Sequence, residues 1–356
     1  MNIKVHSSEL NRMMKTISQC IDPKSQSLGN IEIIYDNNLL TIRGTNGSFA
    51  AVMSTPLLGG DGESFCVDGT MFARVAGMSN GEVNIITDEK TCTIKGTGRT
   101  RMQIVNAKIP AYERVCGEKA EIRVSEFIRC YNAVSYAISA EQTRPVLTGT
   151  LTISDNGRIE MVALDGFEMA VESIECGGEN FRAVIPGAFL KMVSSGVTGS
   201  EKVSITVGKG RVQAETDGMI VSCSLLSGDY PDHNRILPQT FATECLVSAD
   251  ALKNALKCGS IVNTSGNLVK LNIAKDSITV MSNNEQECTD FDADIPCETQ
   301  GDGLTIAFNQ KYLMNTINSI NADELVMKFN MPINPCIVQG HGQEGIHLVL
   351  PVRTKG

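Results

Sequence analysis

"EIRVSEFIRCYNAVSYAIS" (121–139), followed closely by "VLTGTLTISDNGRIEMVALDG" (146–166), carries the pattern from which the fold is read. The first piece opens on a short alternating run, and Ser125 and Glu126 then stand where a strand gives way to a helix. Such residues satisfy the orphan N–H groups of a helix start and meet its positive end. The second piece has two alternating runs around Asp155-Asn156-Gly157, a strong hairpin signal.

The same order recurs along the chain. "IKVHSSELNRMMKTISQCI" from Ile3 and "CLVSADALKNALKCGSI" from Cys245 open alike, with a Ser/Asp cap expected before each helix. In the first of these Leu10, Met13, Met14 and Ile17 recur at helical spacing. Hairpins follow in "IEIIYDNNLLTIRGTN", with an Asn-Asn turn, and in "LVKLNIAKDSITVMSNN", turning at Lys275-Asp276. Three further stretches repeat strand, helix and strands, beginning "ESFCVDGTMFARVAGM", "FRAVIPGAFLKMVSSGV" and "LTIAFNQKYLMNTINSI". The chain therefore reads as six βαβββ units of about 55–60 residues, paired into three similar domains. The expected bounds are 1–118, 119–243 and 244–356. Hairpins without regular βαβ alternation argue an α+β class with antiparallel sheets, against a doubly wound fold.

Bulk properties agree with a multi-domain globular chain: 356 residues, 42% hydrophobic and 20% charged. No apolar run approaches the roughly 18 residues of a membrane span. The start "MNIKVHSSELNRMM" lacks the apolar core of a signal peptide, so a cytoplasmic location is expected. The 12 cysteines are scattered without any CxxC and mostly lie in apolar runs, which reads as reduced core residues. No metal or cofactor is expected.

Net charge is −9, which taken whole argues against nucleic acid. The distribution reverses that. The expected helices carry Arg12, Lys15, Arg74, Arg129, Lys191, Lys253, Lys257 and Lys311, whereas their acids Glu9, Glu126 and Asp250 sit in first turns. Acid is concentrated elsewhere, as in "NNEQECTDFDADIPCE" (283–298). A consistent sign over six equivalent helices fits one surface facing a polyanion through phosphates, without base reading.

One loop is unlike the rest. "SGDYPDHNRILP" (227–238) packs two prolines, a histidine and Arg235 beside Tyr230, Ile236 and Leu237. Proline fixes its own backbone and biases the residue before it toward extended conformations, so a rigid loop is expected.

Four segments together, "TRPVLTG" (143–149), "VALDGFEMA" (162–170), "GDYPDHNRILP" (228–238) and "LVLPVRT" (348–354), resemble the bacterial sliding clamp family, the beta subunit of DNA polymerase III. The resemblance spans the whole chain. It implies the DNA clamp fold, with antiparallel sheets outside and helices lining a ring, and two chains closing head to tail around duplex DNA without sequence preference. It also implies a pocket where short linear motifs of the replicative polymerase, the clamp loader and other proteins dock. Position by position that pocket would use Leu147, Gly149, Leu164, Gly166, Phe167, Glu168 and Met169. Pro231, His233, Arg235 and Ile236 would form its rim, and Leu348, Leu350, Pro351, Val352 and Arg353 its other side. The resemblance adds Lys24, Gln142 and Arg144 to the DNA-facing set. For ring closure it suggests Arg99, Arg101, Met102 and Ile104 meeting Ile261, Val262, Glu285 and Glu287 of a second copy. Where the family usually reads "DGHRLA" this chain has "DGFEMA", and "FPDYRR" becomes "YPDHNR".

An enzyme is the first rival. Asp165 with Glu168, or Cys223 near His233, would need convergence on one pocket, and there is no P-loop, GxSxG or HExxH. The second rival is a repeat-built scaffold that binds proteins but not DNA.

Overall fold

The computed structural model describes residues 2–57, 59–62, 64–197, 199–262, 267–284 and 287–353. Six runs of strand, helix and three strands follow one another. The first is β1 (Asn2–His6), α1 (Ser7–Ile17), β2 (Asn30–Asp36), β3 (Leu39–Thr45) and β4 (Phe49–Pro56). After a two-residue β5 (Gly60–Asp61) come β6 (Phe65–Asp68), α2 (Gly69–Met78), β7 (Glu82–Thr87), β8 (Thr91–Lys95) and β9 (Arg99–Gln103). The third run is β10 (Gly117–Arg123), α3 (Val124–Val134), β11 (Gly149–Asp155), β12 (Arg158–Leu164) and β13 (Glu168–Glu175). After the short β14 (Gly177–Gly178), the fourth has β15 (Phe181–Pro186), α4 (Gly187–Gly196), β16 (Lys202–Gly208), β17 (Arg211–Thr216) and β18 (Met219–Ser224). The fifth is β19 (Thr243–Ser248), α5 (Ala249–Val262), β20 (Leu268–Ile273), β21 (Ser277–Asn284) and β22 (Thr289–Gly301). The sixth is β23 (Leu304–Asn309), α6 (Gln310–Ser319), β24 (Glu324–Phe329), β25 (Cys336–Gly340) and β26 (Ile346–Val349).

Local chemistry explains the elements. Leu10, Met13, Met14 and Ile17 form the buried stripe of α1. The hairpin turns sit where left-handed backbone is tolerated: Asn37 and Asn38 have φ of 49° and 63°, Asn156 and Gly157 of 50° and 77°. Helix starts depart from the expected Ser/Asp caps at α1 and at α3, which begins at Val124 so that Ser125 is already helical. His6 caps α1, its Nδ1 accepting from Ser8 N–H at 3.3 Å, and Ser7 is already helical and buried. The imidazole supplies the acceptor that a Ser or Asp side chain would give. Asp68 caps α2 through Met71 N–H at 2.6 Å, and Ser248 Oγ accepts from Ala251 N–H at the start of α5.

The contacts divide the chain into two compact units. The first holds Met1–Ile128, Ser154–Gly157 and Glu175–Leu226. In it one sheet runs β5-β1-β7-β8-β9 and another β14-β10-β16-β17-β18-β4-β3-β2-β6. Helix α1 packs beside α4, where Cys20 Sγ lies 3.4 Å from Met192 Sδ and a side chain on Gly196 would meet Thr16. Phe72, Leu10, Met13 and Ile31 are fully buried between helices and sheets, each worth about 1.5–3 kcal/mol.

The second unit holds Arg129–Ile153, Arg158–Ile174 and Ser227–Gly356. Its strands run β11-β12-β13-β26-β25-β24-β19-β22-β21-β20-β23. Leu252, Leu256, Phe308, Leu313, Ile317 and Phe329 make its core under α5 and α6. In each unit an antiparallel pairing joins segments assigned by the sequence to different domains. They are β18 with β4, and β13 with β26.

Among the described residues none of the 12 cysteines is in a disulfide. Burial pushes the thiols of Cys20, Cys92, Cys223 and Cys245 up to about 12, which makes them poor nucleophiles. Among the described residues no helix is long and apolar enough to cross a membrane.

Candidate functional site

The four segments singled out in the sequence meet within the second unit. "TRPVLTG" forms a 3-10 turn, Pro145–Thr148, whose Leu147 is buried as the chain enters β11 at Gly149. "VALDGFEMA" is the end of β12, a turn and the start of β13. Asp165 Oδ1 accepts from Phe167 and Glu168 N–H at 2.7 and 2.8 Å, and Gly166 takes φ +100°, which favours glycine. That turn holds Phe167 outward, 53% exposed. The terminal segment follows β26: Leu350 N–H donates to Phe167 O at 2.9 Å, and Val352 N–H to Ala307 O at 2.8 Å.

The 227–238 loop is pinned from beneath. Tyr230 Oη donates to Val162 O at 3.2 Å, and buried His233 places Nε2 3.4 Å from Glu160. Asp232 Oδ1 accepts from Asn234 N–H at 3.2 Å at the start of a 3-10 turn, His233–Arg235, inside the loop expected to be rigid. Three residues of helical backbone fit between the prolines because Pro231 precedes the turn and Pro238 follows it. Gly228 lies against the Pro145–Thr148 turn, where a Cβ would stand 3.8 Å from Val146.

The arrangement is a groove with apolar walls. Phe167, Ile236 and Val352 are exposed along it, Leu350 and Pro351 are half-buried, and Leu147, Leu164, Met169 and Leu348 are buried. Pro231, Arg235 and Arg353 are exposed, and Arg235 is held 3.2 Å from Asp232. Sequence reasoning missed Tyr312, in the first turn of α6, which stacks on Phe167 with ring centroids 5.2 Å apart and planes 12° apart. An aromatic next to Lys311 near a helix start was the available signal.

Two expected groove residues have other places. His233 is 5% exposed and anchors the loop instead of lining the rim. Glu168 is 2% exposed and faces inward, because alternate strand residues point to opposite faces and Met169 takes the outer one. Its carboxylate accepts from Thr316 Oγ1 at 3.3 Å and Asn315 Nδ2 at 3.5 Å on α6. Burial, reinforced by Asp165, raises its pKa to about 8. Four residues along the same face, Glu172 meets Arg129 Nη1 at 3.2 Å and His347 Nε2 at 3.8 Å. His347 Nδ1 in turn lies 3.1 Å from Tyr136 Oη. A polar layer thus lies under β13 and β26.

The helix cations divide in two. Arg12 pairs with Glu9 at 3.0 Å and Arg129 with Glu172, so both are already neutralised, against the expectation of free phosphate-facing side chains. Among the described residues no carboxylate lies within ion-pair distance of Lys15, Arg74, Lys191, Lys253, Lys257 or Lys311, and all but half-buried Lys253 are exposed. Lys24, Gln142 and Arg144 are exposed on turns.

Strand β9 is the last of its sheet and, among the described residues, pairs only with β8. Arg99 and Arg101 point outward, whereas Met102 is 9% exposed opposite Cys92. Met102 therefore packs into the core of its own sheet, where the expectation placed it at an interface, since strand alternation turns it to the other face from Arg101. Ile104 is half-buried and donates its N–H to Lys90 O at 2.9 Å. At the end of α5, Ile261 is 77% exposed and Val262 half-buried; Glu287 is exposed, and Glu285 lies outside the described residues.

These observations define a clamp-fold class of protein: repeated βαβββ units, antiparallel sheets and helices carrying unpaired cations. Comparison with known proteins narrows it. The central domain of the DNA polymerase III beta subunit matches residues 121–232, and its C-terminal domain matches residues 234–353. The beta sliding clamp of Staphylococcus aureus is 24% identical over 283 residues, covering 77% of this chain and 75% of that protein. The solved sliding clamp of Pseudomonas aeruginosa bound to griselimycin superposes with a TM-score of 0.91 at 19% identity, covering 99% of this chain and 100% of that one. The Streptococcus pyogenes beta subunit gives 0.89 at 22%, with coverage of 99% and 100%. The chain belongs to the bacterial DNA polymerase III beta subunit family, the beta sliding clamps.

Proposed function

We propose that this chain is a processivity factor: two copies close head to tail around duplex DNA, slide without reading bases, and tether a replicative polymerase and other proteins through the groove. The chain would divide into domains 1–118, 119–243 and 244–356, and act in the cytoplasm without catalysing a reaction.

One observation carries the ring. The closing strands of the repeats pair with one another, β4 with β18 and β13 with β26. Two closing strands remain, β9 and β22. The free edge of β9 carries exposed Arg99 and Arg101, and residues 289–296 of β22, which pair on one side with β21, carry exposed Asp290, Asp292 and Asp294. An unpaired edge is a template for another strand, and these two have opposite charge. Within one chain the pairings use up the other closing strands, so β9 is left for β22 of a second copy. Two different surfaces meeting in this way give a closed assembly when the rotation returns on itself.

The unpaired helix cations support DNA as the enclosed polyanion. A handful of separate lysines gives modest, sequence-independent attraction compatible with sliding. The groove supports short motifs as tethers, because a pinned loop loses little entropy on binding a disordered peptide. Loaded protein is expected to stay on nicked circular DNA and to leave once the circle is linearised. Equal retention on both would exclude encirclement and favour a protein-binding scaffold.

A further inference from the structure

The groove of the second unit has a counterpart in the first. Each residue number of β11, β12 and β13 exceeds its counterpart in β2, β3 and β4 by 119, without a gap: Asn30–Asp36 against Gly149–Asp155, Leu39–Thr45 against Arg158–Leu164, Phe49–Pro56 against Glu168–Glu175. The turns agree, with Gly47 at φ +88° and Gly166 at +100°. By the same count Leu28 stands where Leu147 does.

A connecting segment borders each place. The 105–116 segment crosses β17, where Tyr112 Oη donates to Gln213 Oε1, Val115 N–H donates to the same oxygen at 2.9 Å, and Arg114 meets Glu215 at 2.9 Å. Ile109 of the same segment is buried. Under the connector lies a cavity of about 250 Å³, bordered by Leu28, Thr45, Gly47, Ala50 and Ile109, with Arg43 and Arg211. That volume is room for about eight waters, or two small side chains.

The lining differs from its counterpart in a consistent direction. Leu164 is matched by Thr45, Met169 by Ala50, and the apolar pair Leu151 and Val162 by the ion pair Glu32–Arg43. Ala50 opens the space that a methionine would fill. Arg43 is neutralised by Glu32. Arg211 is half-buried, donates to Ser222 Oγ at 3.1 Å, and has no carboxylate within ion-pair distance among the described residues. Glu113 on the connector is exposed and makes no ion pair with it. A half-buried guanidinium with free donors selects a carboxylate.

We infer that this cavity is a second docking site for a short extended peptide of a partner protein, selecting a Glu or Asp side chain beside a small aliphatic one. The inference rests on reading the second unit's groove as a peptide site, and differs from it in ligand class: a carboxylate replaces the large apolar anchor.

The test uses the full chain and three labelled peptides: Ac-Ser-Gly-Glu-Val-Gly-Ser, its Glu→Gln analogue, and a polymerase-derived motif peptide. At low salt the Glu peptide is expected to bind at least about fivefold more tightly than the Gln peptide. Arg211→Gln should abolish that preference and Arg211→Lys should keep it. Ala50→Met, which installs the side chain found in the other groove, should weaken the Glu peptide about tenfold with its melting temperature unchanged. Leu350→Ala should leave the preference intact. Equal binding of both peptides to the parent protein overturns the inference, as does a preference that survives Arg211→Gln or vanishes in Leu350→Ala. If the polymerase-derived peptide fails to bind at all, the reading of the second unit's groove falls, and the Glu-over-Gln preference still decides this one.

Discussion

Glu168→Gln is expected to stabilise the protein increasingly as pH rises, and to leave peptide affinity unchanged. The carboxyl is 2% exposed, and burial with Asp165 lifts its pKa from 4.5 to about 8. At about 1.4 kcal/mol per tenfold in proton affinity, that is a bias of about 5 kcal/mol toward the neutral form. The folded state holds the proton more tightly than the unfolded chain does. The side chain's contribution is therefore fully present below about pH 4.5, declines as pH rises, and is exhausted above about pH 8. Water penetration and relaxation trim such penalties, which leaves about 2–4 kcal/mol to be recovered at pH 9. The groups facing Glu168 are Thr316, Asn315 and Lys311 from α6, Asp165 from the preceding turn and Tyr136 from the 3-10 turn after α3. Glu172, His347 and Arg129 complete the same polar layer.

Thermal unfolding of the parent and the variant at pH 5, 7 and 9 isolates this one group, because every other titration is common to both. The gain should be near zero at pH 5 and roughly 4–16 °C at pH 9, for about 2–4 °C per kcal/mol in a unit of this size. Parallel stability curves across that range would falsify the assignment of a protonated, buried Glu168. A peptide titration at pH 8 gives the second arm: a changed affinity would return Glu168 to the groove.

Truncating Leu147 or Leu350 to Ala should each weaken a polymerase-derived peptide by about 1–3 kcal/mol in a fluorescence titration, with native mass unaltered. Pro231→Gly should weaken it more gently, by loosening the pinned loop without removing a wall. Arg101→Glu should weaken self-association measured by sedimentation, and Asp292→Arg in the same chain should restore it; a double variant no better than the single one removes β22 as the partner of β9. Gly345→Ala should destabilise the second unit by about 2–3 kcal/mol in urea melts, since its Cβ would stand 2.1 Å from Glu172 Oε1.

The repeats were legible because their signals are local. Asn and Gly at positive φ fix the hairpins, and a stripe such as Leu10, Met13, Met14 and Ile17 fixes a helix within a few residues. The groove was legible only through the resemblance. Its walls come from residues as far apart as Leu147 and Leu350, and no periodicity links them. The inward face of Glu168 was written in the strand itself, where Glu168 and Glu172 share one side and Met169 and Val171 the other. Reading "DGFEMA" as a motif set that alternation aside. What no local rule could supply is the partner: Thr316 lies far along the chain, and without it two buried acids on one face argue for exposure. The same holds for Arg12 and Arg129, basic in the sequence and neutralised in the fold by Glu9 and Glu172.

Charge at the sheet edges is the opposite case, because there the sequence signal and the fold have the same cause. An unpaired edge has to be kept from indiscriminate pairing, and charge is the cheapest means. "GRTR" (98–101) and "TDFDAD" (289–294) are therefore conspicuous in the chain for the reason that, among the described residues, β9 and the outer side of β22 stand without neighbours. The paired closing strands β4 and β18 carry no charge: they meet through Met53, Val52, Ala51, Met219, Ile220 and Val221. A free edge protected only against aggregation would serve equally well with either sign. Opposite signs on the two remaining edges repel each edge from its own copy and attract it to the other, which selects head-to-tail closure over symmetric pairing of like edges.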